Sequence, residues 1–107
     1  MNSPQLSDLE KYNEFWQRYF EFSSKAFGTP AERGCLGPLH HLKEEVQELI
    51  DSPNDIMEWA DCYLLLMDAA RRNGFNTDDL LRFAEAKLAI NQARVWKKAE
   101  NEVFKHI

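Results

Sequence analysis

The chain has 107 residues, 44% of them hydrophobic and 29% charged, with a net charge of −5 and two cysteines. That length supports one domain around one hydrophobic core. The acidity excludes a general nucleic-acid binder, which carries a basic surface, and two cysteines exclude a disulfide framework. The longest apolar run, 62–67, is far short of the ~20 residues needed to span a bilayer. Residues 1–9 lack the apolar stretch of a secretory signal. A soluble protein in the reducing cytoplasm is expected, without a membrane or nucleic-acid partner.

Ser7 and Glu10 form a capping-box pattern that predicts a first helix over 7–26. Leu9, Tyr12, Phe15, Trp16, Tyr19, Phe20 and Phe27 follow at helical spacing. Core packing is the main reading of these rings; the minor one has Trp16, Phe20 or Phe27 stacking on a planar base. Gly28, Pro30, Gly34 and Gly37 mark a loop, and Pro38 suits the first position of a second helix over 38–51. Leu39, Leu42, Val46, Leu49 and Ile50 make its apolar stripe, with Glu45 and Glu48 at the stripe's edge.

Ser52 and Pro53 end that helix. Asn54 or Asp55 caps a third, which stops at Gly74. This third helix is apolar almost all round except for Glu58, Asp61 and Asp68. Such a helix is expected to be buried on most sides, with its acids facing inward or into a cleft, where unpaired charge is costly. Asp68 either pairs with Arg71 or Arg72 or extends the acidic site by a turn. A fourth helix starts near Asn76 or Thr77 and carries Lys87, Asn91, Arg94 and Lys98 at helical spacing. The tail to Ile107 reads as helix-compatible. The expected fold is all-α, four main helices in a single domain.

Residues three apart share a helix face, so Glu45 pairs with Glu48 and Glu58 with Asp61. Three readings compete: a solvated face with ordinary ion pairs, ion pairs to Arg71, Arg94 or Lys87, or a metal site. Two acidic pairs on neighbouring helices weaken the first, because clustered carboxylates repel one another unless a cation relieves them. Oxygen ligands on a rigid frame suit a hard ion such as Mg²⁺. His40 and His41 read as structural or capping residues, since no Cys/His set accompanies them.

Glu44-Glu45-x-x-Glu48, Glu58-x-x-Asp61 and the later Lys87-x-x-x-Asn91-x-x-Arg94 together resemble the signature of the MazG-like nucleoside triphosphate pyrophosphohydrolases. Within them, 37–46 and 58–72 look closest to the phage and bacterial dATP/dGTP diphosphohydrolases of the MazZ type. The gap from Glu48 to Glu58 is shorter than in typical MazG proteins and similar to that of the purine-specific subgroup. The resemblance implies Mg²⁺, with Mn²⁺ substituting, held by Glu45, Glu48, Glu58 and Asp61. Glu44 would be a further partner, and Glu44 or Glu45 would orient the attacking water. It also implies phosphate or sugar binding by Lys87, Asn91 and Arg94. The products would be a nucleoside monophosphate and pyrophosphate, with dGTP and dATP as the expected substrates. A homodimer or homotetramer in a bacterial cytoplasm, encoded by a phage, completes the expectation. Trp96 reads as core or subunit interface, or as a wall of the base pocket together with Trp16 and Phe27. The alternatives are a non-enzymatic helical interaction module, or the same chemistry on pyrimidine or modified nucleotides.

Overall fold

The computed structural model describes residues 7–98 and 103–106. Four helices, α1 (Asp8–Phe27), α2 (Leu36–Asp51), α3 (Ile56–Arg72) and α4 (Thr77–Gln92), precede two short strands, β1 (Trp96–Lys98) and β2 (Phe104–His106). The chain falls into two compact units, one up to Thr77 and one from Asp78 on. Among the described residues no helix is long and apolar enough to cross a membrane.

Local chemistry accounts for the helix ends. The Ser7 hydroxyl accepts the Glu10 backbone N–H at 3.1 Å, satisfying one orphan donor of α1. Asp55 does the same for Met57 at 3.0 Å and starts α3. Gly74, at φ +93°, closes α3: its N–H bonds to the Arg71 carbonyl and that of Phe75 to Ala70, the paired bonds of a Schellman cap. α2 begins two residues earlier than the proline rule predicts. Pro38 therefore lies within the first turn, where its missing N–H needs no partner.

In the first unit α2 and α3 pack as a helical hairpin across the short 52–55 turn. α1 lies against α3 through Trp16, whose ring meets Tyr63 edge-on at 5.1 Å, and through Ser23, which bonds to Asp68. Trp16, Leu49, Met67 and Ala69 are the buried apolar residues among those described. Trp16 is only 2% exposed and is ringed by Tyr12, Phe15, Tyr19 and Phe20. Phe20 stacks on it and the other rings meet it edge-on, so in the single chain it packs the core.

Two expectations need correction. α3 is not buried on most sides: Ile56, Met57, Trp59, Tyr63 and Leu66 are each about half exposed or more in the single chain. In the second unit α4 stops at Gln92, and the tail forms an antiparallel hairpin with Trp96 opposite His106 and Lys97 opposite Lys105. The Asn91 carbonyl accepts both the Arg94 N–H at 3.2 Å and the Trp96 indole at 2.8 Å, which turns the chain out of the helix. Val95-Trp96 and Val103-Phe104 then supply the β-branched and aromatic residues that favour strands. Lys98 is therefore in β1 and does not continue the helical spacing of Lys87, Asn91 and Arg94.

Candidate active site

The hairpin of α2 and α3 brings three carboxylates together. Oxygens of Glu45, Glu48 and Glu58 lie within 4.8 Å of one another. Glu45 and Glu48 come from one face of α2, and Glu58 from the first turn of α3, just after the Asp55 cap. Asp61 does not join that trio. It stands one turn further along α3 and is exposed, as is Glu44 on α2.

Like charges at this spacing cannot all ionise freely. Hydrogen bonding with Glu45, burial and the charges of Glu45 and Glu48 push the Glu58 carboxyl up to about 7. Glu48 is raised as well, by its hydrogen bond with Glu45 and by that residue's charge. Glu45 is lowered because Glu48 and Glu58 bond to it, with a smaller contribution from His41. Glu58 Oε2 is buried without a hydrogen-bond partner among the described residues. A buried carboxylate oxygen with no donor calls for a proton or a cation. Three oxygen donors on two rigid helices, one of them unsatisfied, fit a hard divalent ion.

The His41 Nε2 lies 3.1 Å from Glu45 Oε1, one turn earlier on α2. The sequence reading of His41 is a structural or capping role, and the i,i+4 spacing from Glu45 is the signal for this particular contact. His41 also lines an open cleft of about 1140 Å³ that extends past Phe27, Arg33, Gly37, Leu65 and Asp68. Phe27, one of the rings considered for a base, is 58% exposed on its wall.

Asp68 is not a further arm of the acidic trio. Arg71 grips its Oδ1 at 2.7 Å and Arg72 its Oδ2 at 2.8 Å, while the Ser23 hydroxyl donates to Oδ2 at 2.9 Å. Burial pushes Asp68 up, but the bonds from Arg72, Arg71 and Ser23 outweigh it and hold the carboxyl below its ordinary value. Arg72 also donates to the Ser23 hydroxyl at 2.8 Å and to the Arg33 carbonyl at 3.0 Å. Arg71 reaches the Ser24 hydroxyl at 2.9 Å and lies 4.9 Å from the centre of the Phe20 ring. Ion pairing of Arg71 with Glu58 or Asp61 is thereby displaced by pairing with Asp68.

In the second unit Lys87 is exposed, Asn91 and Arg94 are half-buried, and Trp96 is 41% exposed. Asn91 Oδ1 is buried and meets no hydrogen-bond partner among the described residues.

The family model described as dATP/dGTP pyrophosphohydrolase matches residues 15–107. A cyanophage S-2L protein named dATP/dGTP diphosphohydrolase is 41% identical over 73 residues, covering 66% of this chain and 67% of the relative. The Eaa protein of Salmonella phage P22 is 39% identical over 85 residues, 79% of this chain but 26% of that longer protein. Among solved structures, the cyanophage S-2L MazG-like pyrophosphohydrolase, bound to dGDP and three catalytic Mn²⁺ ions per active site, matches with a TM-score of 0.73 at 34% identity. That match covers 88% of this chain and 94% of the other. The family model covers the whole of the helical hairpin, and the chain belongs to the dATP/dGTP pyrophosphohydrolases.

Proposed function

We propose that this chain is a divalent-metal-dependent enzyme that hydrolyses dGTP and dATP to the nucleoside monophosphate and pyrophosphate, with Mg²⁺ as its working ion. The observation that carries the reading is the convergence of Glu45, Glu48 and Glu58, with Glu58 Oε2 buried and meeting no hydrogen-bond partner among the described residues. Family membership supplies the reaction class.

Glu45, Glu48 and Glu58 would hold the metal, joined by Asp61 from the next turn of α3. Divalent ions bound there supply positive charge for the phosphate oxygens and make a water a better nucleophile. The protein's own part is to hold those oxygens rigidly and to manage one proton. Glu45, kept ionised by its neighbours, or the exposed Glu44 would orient the attacking water and take its proton. Lys87, Asn91 and Arg94 are proposed to bind phosphate or sugar, Arg94 through paired hydrogen bonds. Trp96 spends its indole N–H on the Asn91 carbonyl, which supports a structural role at the end of α4.

The whole chain is proposed to act as one functional domain within a homo-oligomer. Ile56, Met57, Trp59, Leu81 and Phe83 are each more than half exposed, and such apolar surface favours burial against further copies. A bacterial cytoplasm is the proposed setting, since relatives are phage proteins. The test is incubation with each dNTP and Mg²⁺, with products separated by chromatography. Pyrophosphate and dGMP or dAMP are expected; orthophosphate release, or no turnover of any nucleotide, would refute the proposal. Light scattering of the eluting protein should give a mass of two or four chains.

A further inference from the structure

We propose that Arg72 is a positioning residue for nucleotide binding: its buried guanidinium fixes the place of the 28–35 loop by bonding three chain segments at once. The assignment rests on the enzymatic reading above and adds a residue outside the acidic signature. Each nitrogen of the fork serves a different segment. Nε donates to Asp68 Oδ2 on α3 at 2.8 Å, Nη2 to the Ser23 hydroxyl on α1 at 2.8 Å, and Nη1 to the Arg33 carbonyl of the loop at 3.0 Å. The side chain is only 2% exposed. Burying an ion pair is a poor route to stability, because apolar side chains of similar volume often stabilise a core as well or better. What the fork supplies is geometry, since a rigid planar set of donors fixes where its acceptors stand.

The loop needs such a tie. Inside, it is stiff: the N–H groups of Glu32 and Arg33 both bond to the Thr29 carbonyl at 2.9 Å. The Glu32 carboxylate in turn accepts from the Thr29 N–H at 3.1 Å and from its hydroxyl at 2.9 Å. Its borders are open. Gly28 leaves α1 at φ +102°, and a Cβ at Gly34 would meet nothing within 4 Å. The 29–33 turn is thus a small rigid body between two glycines, and its inner bonds do not determine where it sits. Arg72 does. The Cys35 thiol adds a weaker tie to the Asn73 side chain at 3.7 Å. Position matters because Gly28, Glu32, Arg33 and Gly34 line the same cleft as His41, and His41 touches Glu45 of the acidic trio. A displaced loop would change that cleft while leaving the carboxylates of α2 and α3 in place. A loop ordered in advance also lowers the entropy lost on binding. Loss of the tie is therefore expected to act on nucleotide affinity and to spare the metal.

Arg72→Lys is the test. Lysine keeps a charge beside Asp68 but gathers its donors on one nitrogen, so the bond to the loop is lost. The KM for dGTP is expected to rise about threefold or more, with kcat and the Kd for Mn²⁺ within about twofold of the wild type. A smaller rise in KM would overturn the assignment. Met67→Ala is the control for stability alone: it empties part of the same core without touching the tie. Its KM should stay within about twofold, and equal rises in both variants would overturn the assignment. A further measurement needs neither a folded variant nor turnover, namely amide relaxation of the wild-type chain without metal or nucleotide. Order parameters near the roughly 0.85 of rigid backbone are expected at Thr29, Arg33 and Gly34, and values nearer the roughly 0.6 of flexible segments would overturn the assignment. A wild-type chain that hydrolyses no dNTP would sink the enzymatic reading and this one with it. Turnover in the wild type with an unmoved KM in Arg72→Lys would sink this one alone.

Discussion

Ten residues apart on α3, two carboxylates meet opposite fates. Asp68 receives two arginines and a serine hydroxyl, all from its own unit, and every contact is 2.9 Å or shorter at its closest. Glu58 meets other carboxylates, and its Oε2 has no partner among the described residues. The first is a finished network that joins α1, α3 and the 28–35 loop. The second is left unfinished by the described chain and is complete only with a proton or a metal. The difference separates a structural acid from one proposed to hold metal: Asp68 and the Glu58 Oε2 atom are both buried, and the identity of the neighbour decides.

That contrast can be broken from either side. The largest effect is expected at the trio. Glu48→Gln or Glu58→Gln should lower dGTP turnover on the order of 10²–10³-fold, since each removes an oxygen ligand for the charge-stabilising ion. Metal-free thermal stability should hold or rise, because the substitution relieves carboxylate repulsion. A variant that unfolds instead would show the trio to be structural. Asp68→Asn should do the reverse. It leaves two arginines short of their counter-charge and is expected to cost about 3 kcal/mol, a fall in Tm of roughly 10 °C or more for a chain of this size. The Kd for Mn²⁺, read by calorimetry on the folded fraction, should barely move.

Acidity sharpens the comparison further. Glu58 titrates in the fold near 7, above its unfolded value, so the folded state binds the proton more tightly. Metal-free stability should therefore fall as pH rises from about 4.5 to about 7. Over the same window Mn²⁺ must displace that proton, so its apparent affinity should strengthen up to roughly tenfold per pH unit and level off above 7. Asp68 is held below its ordinary value and carries the opposite sign. Its stabilisation is present above about pH 4 and is lost as pH drops through its folded pKa. Calorimetric scans with and without Mn²⁺ across pH 3–8 resolve the two (a range on the order of the shifts themselves). The smallest effect is expected at His41, whose side chain is 56% exposed. His41→Ala should weaken Mn²⁺ binding only a few-fold by freeing Glu45 to reorient.

Much of this was legible in the sequence because it depends on near neighbours. Ser7, Asp55 and Gly74 end helices by bonds to residues within five positions, and the three-residue spacing of Glu45 and Glu48 fixes a shared face. Glu58 could be placed opposite them because a short turn between two helices leaves little choice of packing. What escaped depends on distant partners or on competition between propensities. Ser23 and Arg33 reach Arg72 across 49 and 39 positions, which no spacing rule anticipates, so the cleft and its clamp were invisible. The Val95-Trp96 and Val103-Phe104 pairs compete with helix-compatible neighbours, and the strands form once Asn91 caps the helix. The long apolar face of α3 promised burial that the single chain does not provide.

The most direct measurement is an anomalous difference map from crystals of the protein soaked in Mn²⁺ with a non-hydrolysable dGTP analogue. The account predicts peaks within coordination distance of Glu45, Glu48 and Glu58, and none at Asp68. Empty density beside the trio in a crystal with nucleotide bound would contradict it.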